Sequence, residues 1–545
     1  MAALAGAAGV ACEPASAAHE RLVTVERGAY HPAISPDGST IAVGVLGKIW
    51  LLPIEGGEAR PLTSGHGWDH HPAWSPDGTR LAWVHDTPAA SEIVLHTFAS
   101  GTSRTLYGRS PAEAVGSGGW GPVYSFGQLA FHPSNGRLYF IDFRSGIWSI
   151  VPTASRSIPA QLLPGSGRLG RPGVTELSSF AFSPDGQRIA VERDTTDLWT
   201  QLHVGPLDSL GHTEVTTSDR VRRGAVHWAP DGGSLVYLEL ERGREALAVH
   251  PLDGGAVRRL PLGAFNGRAL ALYPEGNRAL LVSGRQLFAV DLTTGSPDSI
   301  AFRATLSLPP RAEPDLVITN ARLFDGTGAE VVEGATVEVR DGKIFAVTTG
   351  PFAGDAPRVI DAGGRFLMPG LVEGHNHVSS PLAFVLGRVP ALGVTSLFDA
   401  GSYLRETMNL RDAIEQGVLE GPRIYTAGPT IDGPAGRARP LTVAGVADAE
   451  DARALVRELA RQGVDAVKIY AFLEPEATAA VIAEAHAQGL PAIGDLVSTP
   501  WPVALEAGID GFVHLMDHKW RFVSREQPAA GAARGSDCVW HGVSG

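Results

Sequence analysis

The chain has 545 residues, with 45 Lys and Arg against 58 Asp and Glu for a net charge of −13, and only two cysteines, Cys12 and Cys538. Without a basic block it lacks what a nucleic-acid partner requires, and two thiols near opposite ends exclude both a disulfide framework and a thiolate zinc site. The length allows about three domains at roughly 100–200 residues each. The 66 glycines and 39 prolines favour many turns and hence a β-rich part.

Residues 1–20 open with MAALAGAAGVACEPASA, small and apolar, ending in the A-x-A pattern Ala15-Ser16-Ala17 that a signal peptidase could cut. The positive n-region is missing, so two readings stand. One is a signal peptide on a periplasmic or secreted protein. The other is a disordered Ala-rich terminus, or a start codon chosen too late, on a cytoplasmic one. No later stretch of eighteen uncharged apolar residues predicts a membrane span.

From His31 a phrase recurs: HPAISPDGSTIAVGV, HPAWSPDGTRLAWVH, AFHPSNGRLYFID, FAFSPDGQRIAVE, VHWAPDGGSLVYL and ALYPEGNRALLVS. Its prolines, Pro36, Pro76, Pro133, Pro184, Pro230 and Pro274, lie 40 to 57 residues apart. In each copy an apolar strand enters, Pro-Asp-Gly turns the chain with Gly in the left-handed position, and an alternating strand leaves. Second hairpins such as KIWLLPIEGGEARPLT, from Lys48, bring the count to four strands per repeat. Repeats that cannot bury both faces alone must stack, which predicts a six-bladed β-propeller over residues 21–308. The SPDG phrase and the LPIEGG hairpin resemble TolB-like (WD40-like) propellers. The run Trp68-Asp69-His70-His71 has the composition of a metal site, yet His71 stands where His31 stands in the first repeat. It is therefore read as a repeat-position histidine at a blade edge. A propeller placed here would shield or gate the C-terminal half.

SLPPRAEPD, Ser307 to Asp315, is a stiff connection rich in proline. Residues 315–368 alternate in strand fashion between Asp325-Gly326, Glu333-Gly334 and Asp341-Gly342 turns, which predicts a small β-sandwich. The stretch MPGLVEGHNHV, Met368 to Val378, then places His375 and His377 two residues apart at the end of an apolar run. On a strand, such residues point to the same face, and two imidazoles so placed can grip one divalent ion. An exposed strand end carrying two histidines would look the same. Beyond it, strands from Ala391, Arg423, Asp465, Pro491 and Asp510 alternate with helices from Tyr403, Asp448 and Glu474, each closed by glycine. That alternation means parallel β/α, with chemistry at the carboxyl ends of the strands.

LVITNARLFDG followed by PGLVEGHNH resembles the amidohydrolase superfamily, metal-dependent hydrolases on a TIM barrel, imidazolonepropionase-like or prolidase-like, over roughly residues 315–515. The resemblance implies a β/α barrel over residues 369–520 and one or two divalent ions, zinc foremost, held by His375 and His377. Lys468, inside the apolar strand DAVKIYA, is costly to bury as an unpaired ammonium. The resemblance makes it a carbamate that bridges two ions after reaction with carbon dioxide; the alternative is a lysine paired with a carboxylate at the barrel mouth. His514, in DGFVHL, resembles the histidine that completes the metal shell, or else caps a strand. His486 lies mid-helix and reads as a surface or packing residue. The fifth strand departs from the family, because Asp495 in PAIGDL stands where relatives carry a histidine; a carboxylate can still bind zinc or manganese. No residue matches the eighth-strand aspartate that acts as general base, residues 521–545 look like an unstructured tail, and the barrel reads as incomplete.

These residues are consistent with two functions. The first is a metal-dependent hydrolase of C–N bonds in an amide, cyclic amide or short peptide, acting through metal-activated water. The second is a catalytically inactive homologue that works as a propeller-based binding protein.

Overall fold

A computed structural model describes residues 21–87, 89–109, 126–142, 145–153, 158–164, 177–194, 200–207, 213–215, 222–241, 244–262, 267–309, 315–378, 386–433 and 443–514. The Ala-rich terminus, most of the proline-rich junction and the C-terminal tail lie outside these residues. No helix among those described is long and apolar enough to cross a membrane.

The repeats fold as antiparallel sheets whose first strands are Tyr30–Ile34, Trp68–Trp74, Phe126–Phe131, Leu177–Phe182, Arg222–Trp228 and Gly267–Leu272. Each sheet turns on the repeated phrase. In the first, Asp37 Oδ1 accepts from Ser35 Oγ at 2.5 Å and from the Ser39 amide at 3.0 Å, and Gly38 takes φ 72°. The same bonds recur at Ser75–Asp77 and Ser183–Asp185. Neighbouring sheets bury their faces against each other. Val84 and Leu95 of one pack with Phe126 and Phe140 of the next, and Ile141 and Ile147 with Phe180 and Val191. The first strand of the last sheet runs beside Tyr30–Ile34, and Phe302–Ala304 pairs in parallel with Gly57–Ala59, so the series returns to its start. This is a propeller-like array.

Among the described residues, 316–367 form one mixed sheet. The strand Leu316–Leu323 is the reason, because it pairs antiparallel with Val332–Arg340 on one side and parallel with Arg358–Asp361 on the other.

After Gly370 every strand pairing among the described residues is parallel. Leu371–Asn376, Val394–Asp399 and Arg423–Thr426 form one run; Val443–Gly445, Thr430–Asp432, Val467–Ile469, Ala492–Gly494 and Gly511–Phe512 form the next. The third predicted strand is thus two pieces, separated where Gly428 takes φ 66°. Between the strands lie helices α1 (Leu404–Glu415), α2 (Ala449–Gln462), α3 (Pro475–Ala487) and the short α4 (Trp501–Glu506). Asp448 caps α2 by accepting from the Glu450 and Asp451 amides, and Gly463 ends it at φ 82°. The apolar faces of α2 and α3 (Val456, Leu459, Val481, Ile482) bury against Val467, Ile469 and Ala492.

The repeat array and the parallel segment touch through a buried charge. Arg285, fully buried in a hairpin turn, ion-pairs with Asp412 of α1, and its carbonyl accepts from the Gly28 amide at 2.9 Å. A Cβ on Gly28, at φ 101°, would sit 2.9 Å from Asn409 Oδ1. Burial pulls the Arg285 guanidinium down to about 9, so losing its carboxylate partner is costly. Asp412→Ala should lower unfolding stability by about 3–5 kcal/mol, the cost of stranding a buried charge, and Arg285→Met should cost less because charge and partner need vanish together. Urea denaturation checks the order; equal stability in Asp412→Ala and the parent would show the contact to be superficial.

Candidate metal centre

The apolar run Leu371–Asn376 carries His375 and His377 out at its carboxyl end, and their ring centroids lie 5.4 Å apart. The His514 ring, from beyond Gly511–Phe512, reaches to 4.8 Å from that of His375. The first and sixth strands of the segment therefore bring their ends together, which requires the sheet to curl. Lys468 projects from the middle of its three-residue strand and is 1% exposed. Asp495 follows the fifth strand and is also buried. Of the five residues expected at a site, His375 and His377 lie at the end of the first parallel strand, Asp495 and His514 just beyond the fifth and sixth, and Lys468 within the fourth. His486 does not join them; it stays on the surface of α3 with Nε2 at 2.9 Å from Asp510 Oδ2.

Hydrogen bonds define which imidazole nitrogens are available. His377 is exposed at the mouth, but its Nδ1 donates to the Gly401 carbonyl at 2.6 Å, so the lone pair belongs to Nε2. Gly401 is required there: at φ 142°, a Cβ would stand 2.6 Å from Thr430 Cγ2. His514 Nδ1 faces Asp495 Oδ2 at 2.8 Å, which likewise turns Nε2 outward when Asp495 is ionised. His514 sits at φ 54°, a conformation uncommon outside glycine. Burial, then the charge of Lys468, lowers His375 to about 4, so its ring is neutral at neutral pH. Burial also lowers Lys468, to about 8, against the pull of Asp495 and Asp399. Three imidazoles, two of them (His377 and His514) with an oriented second nitrogen, a carboxylate and an amine whose proton burial loosens are a donor set of the kind that suits a divalent ion.

Reading the sequence alone missed Asp399, at the end of Val394–Asp399 and fully buried. Its carboxylate accepts from the Val378 amide at 2.9 Å, from Ser402 Oγ at 2.5 Å and from Thr426 Oγ1 at 2.7 Å. Burial raises its pKa, and those bonds oppose the rise. It fixes the backbone immediately after His377 and the loop that carries Gly401. An aspartate closing an apolar strand, in SLFDAG, was the available signal.

No family model matches the chain. It is 31% identical over 152 residues to an adenine deaminase of Paracoccus denitrificans, covering 26% of this chain and 25% of that protein. Over 64 residues it is 39% identical to an L-hydantoinase of Paenarthrobacter aurescens, 12% of this chain and 13% of that one. Over 269 residues it is 25% identical to tricorn protease homolog 1 of Streptomyces coelicolor, 48% of this chain and 23% of that one. The chain spans about a quarter or less of the length of these curated relatives. Among solved structures, a Xaa-Pro dipeptidase with bound methionine aligns at a TM-score of 0.32 with 21% identity, covering 36% of this chain and 61% of that one. TolB from Acinetobacter baumannii aligns at 0.36 with 15% identity, covering 51% and 65%. The chain is thus similar over one part of its length to an adenine deaminase and an L-hydantoinase, and over another part to tricorn protease homolog 1.

Proposed function

We propose that the chain carries a metal-dependent hydrolytic centre for C–N bonds, built from His375, His377, Lys468, Asp495 and His514 behind a six-bladed propeller. The observation that carries the reading is the position of the His375 ring, 5.4 Å from that of His377 on its own strand and 4.8 Å from that of His514 at the end of a distant one. His375 and the Nε2 atoms of His377 and His514 would hold a divalent ion, with zinc the best match to an imidazole-rich set. Such an ion, when bound, polarises a carbonyl and makes water nucleophilic near neutral pH. Lys468 is the residue that would be carboxylated, which would convert a buried cation into an anionic ligand. The curated relatives act, by their names, on adenine and on a hydantoin, so the substrate class proposed here is a small amide, cyclic amide or short peptide.

Asp495 has two roles open to it, ligand or orienter, and its 2.8 Å contact with His514 Nδ1 favours the orienter. As orienter it fixes the His514 tautomer, and Asp495→Ala should weaken zinc binding by about 10–100-fold, the usual loss for an outer-shell partner. Asp495→His should also weaken it, because an imidazole cannot accept the same bond with a carboxylate's charge. Were Asp495 a ligand, Asp495→His would tighten binding. Competition with a chromogenic chelator, together with metal analysis of the purified chain, separates the cases. No bound metal in the parent, and no hydrolysis of an N-acyl amide panel, would leave the propeller as the functional part and overturn the reading.

A further inference from the structure

A second cluster of histidines lies in the propeller-like array, and the centre described above does not use it. His31 opens the first sheet, and His70 and His71 belong to the first strand of the second. One nitrogen from each can be chosen so that all three lie within 4.8 Å of one another. The repeat explains the backbone: His31 at φ 45°, His71 at φ 51° and Ala225 at φ 56° share a left-handed bulge. It does not explain the side chains, since Ala225 shows that the bulge needs no imidazole.

We propose that His31, His70 and His71 form a divalent transition-metal site of the imidazole class, which ties the first two sheets together and is separate from the His375 cluster. The strongest support is an oriented ligand. Asp86, itself buried, receives His70 Nε2 at 2.8 Å, which leaves the His70 lone pair on Nδ1, facing its neighbours. Carboxylate–histidine pairs of this kind hold metal ligands in one tautomer. His70 Nδ1 and His71 Nδ1 lie 2.5 Å apart, a separation that requires a shared proton, and a bound ion would displace that proton. His31 Nδ1 is buried with no hydrogen-bond partner among the described residues. Burial also keeps His31 and His71 from protonating, so their lone pairs are present at neutral pH.

Two features oppose binding and set its strength. The His31 and His71 rings stack at 3.6 Å and 20°, so their in-plane lone pairs do not yet converge. Zinc–nitrogen bonds of about 2.0–2.1 Å place tetrahedral ligands roughly 3.3 Å apart, so binding requires these rings to turn about the soft χ2 torsion. The charge of Arg405, near both rings, repels a second cation.

The test uses the full chain with His375→Ala and His377→Ala, so that zinc at the strand mouths does not enter. Titration with Zn²⁺ alone should show one equivalent bound, and Co²⁺ should give visible absorption bands with nitrogen ligands. Adding His31→Asn and His71→Asn should abolish both; asparagine tolerates the left-handed backbone, so a folded variant is expected by circular dichroism. Adding Arg405→Met instead should tighten zinc binding severalfold, an effect that unfolding cannot produce. No zinc bound in the starting variant, zinc retained after both His→Asn changes, or an affinity unmoved by Arg405→Met would each overturn the proposal. Because the His375 pair is already absent, its failure would leave the hydrolytic reading untouched.

Discussion

His377→Ala should strip the strand-mouth centre of its metal and remove hydrolysis with it, while the fold persists. The side chain is exposed, and what it touches among the described residues includes the Gly401 carbonyl, to which Nδ1 donates, and the His375 ring edge-on. Losing a hydrogen bond at an open site costs about 1 kcal/mol, because water replaces the donor. Losing a ligand costs far more in affinity. Outer-shell partners alone are worth about 10–100-fold, so a missing imidazole should lower zinc affinity by at least about 100-fold. The comparison is made in a chain that also carries His31→Asn and His71→Asn, so that bound zinc reports the strand-mouth centre alone. Bound metal after dialysis against a chelator-buffered solution, and hydrolysis of the amide panel, are measured together with the thermal transition. Metal retained at the parental level would show that His377 is no ligand.

The parts of this chain that were legible in sequence are those where chemistry is local. Pro-Asp-Gly turns and the glycines closing α1, α2 and α3 act within a few residues, and they delimited both the repeated sheets and the parallel segment. His375 and His377 were legible because strand alternation relates two residues of one strand. What could not be read was partnership across the sequence. Asp399 meets Thr426 and Val378, and His31 meets His71 from the neighbouring repeat; neither is a spacing. The repeat alignment correctly put His31 and His71 at one position, and for that reason treated them as a pattern shared along the chain. Equivalent positions on neighbouring sheets lie side by side, so a shared position is also a contact. Asp495 was legible as a departure but not as a partner of His514, since the strand order that joins them is set by tertiary packing. The split of the third strand at Gly428 was missed because the glycine sits within an otherwise continuous apolar pattern, RIYTAGPTI.

Asp399→Ala should be the most destabilising single change in the parallel segment. Its carboxylate is the common acceptor for the Val378 amide, the Ser402 and Thr426 hydroxyls and, at 3.4 Å, the Thr407 hydroxyl. Alanine leaves these donors buried without it. A stranded donor costs about 1–3 kcal/mol, though a hydroxyl can rotate to another acceptor and an amide cannot. A loss of about 4–6 kcal/mol is therefore expected, comparable with the entire stability of an ordinary domain at about 5–15 kcal/mol. Asp399→Asn separates the structural role from the site's. It keeps one oxygen for the Val378 amide and presents an NH₂ that the hydroxyls can accept from, so the fold should survive. The strand end would shift by the altered bonds, and with it the loop whose Gly401 carbonyl holds His377. Zinc affinity in Asp399→Asn should consequently fall by about 10-fold even where the unfolding transition moves little, in keeping with outer-shell substitutions. Urea denaturation of both variants and chelator competition on the folded one are the measurements. Asp399→Ala within about 1 kcal/mol of the parent would mean that water or a neighbour takes over the carboxylate's bonds, and unchanged affinity in Asp399→Asn would mean that the site is positioned by the strands alone.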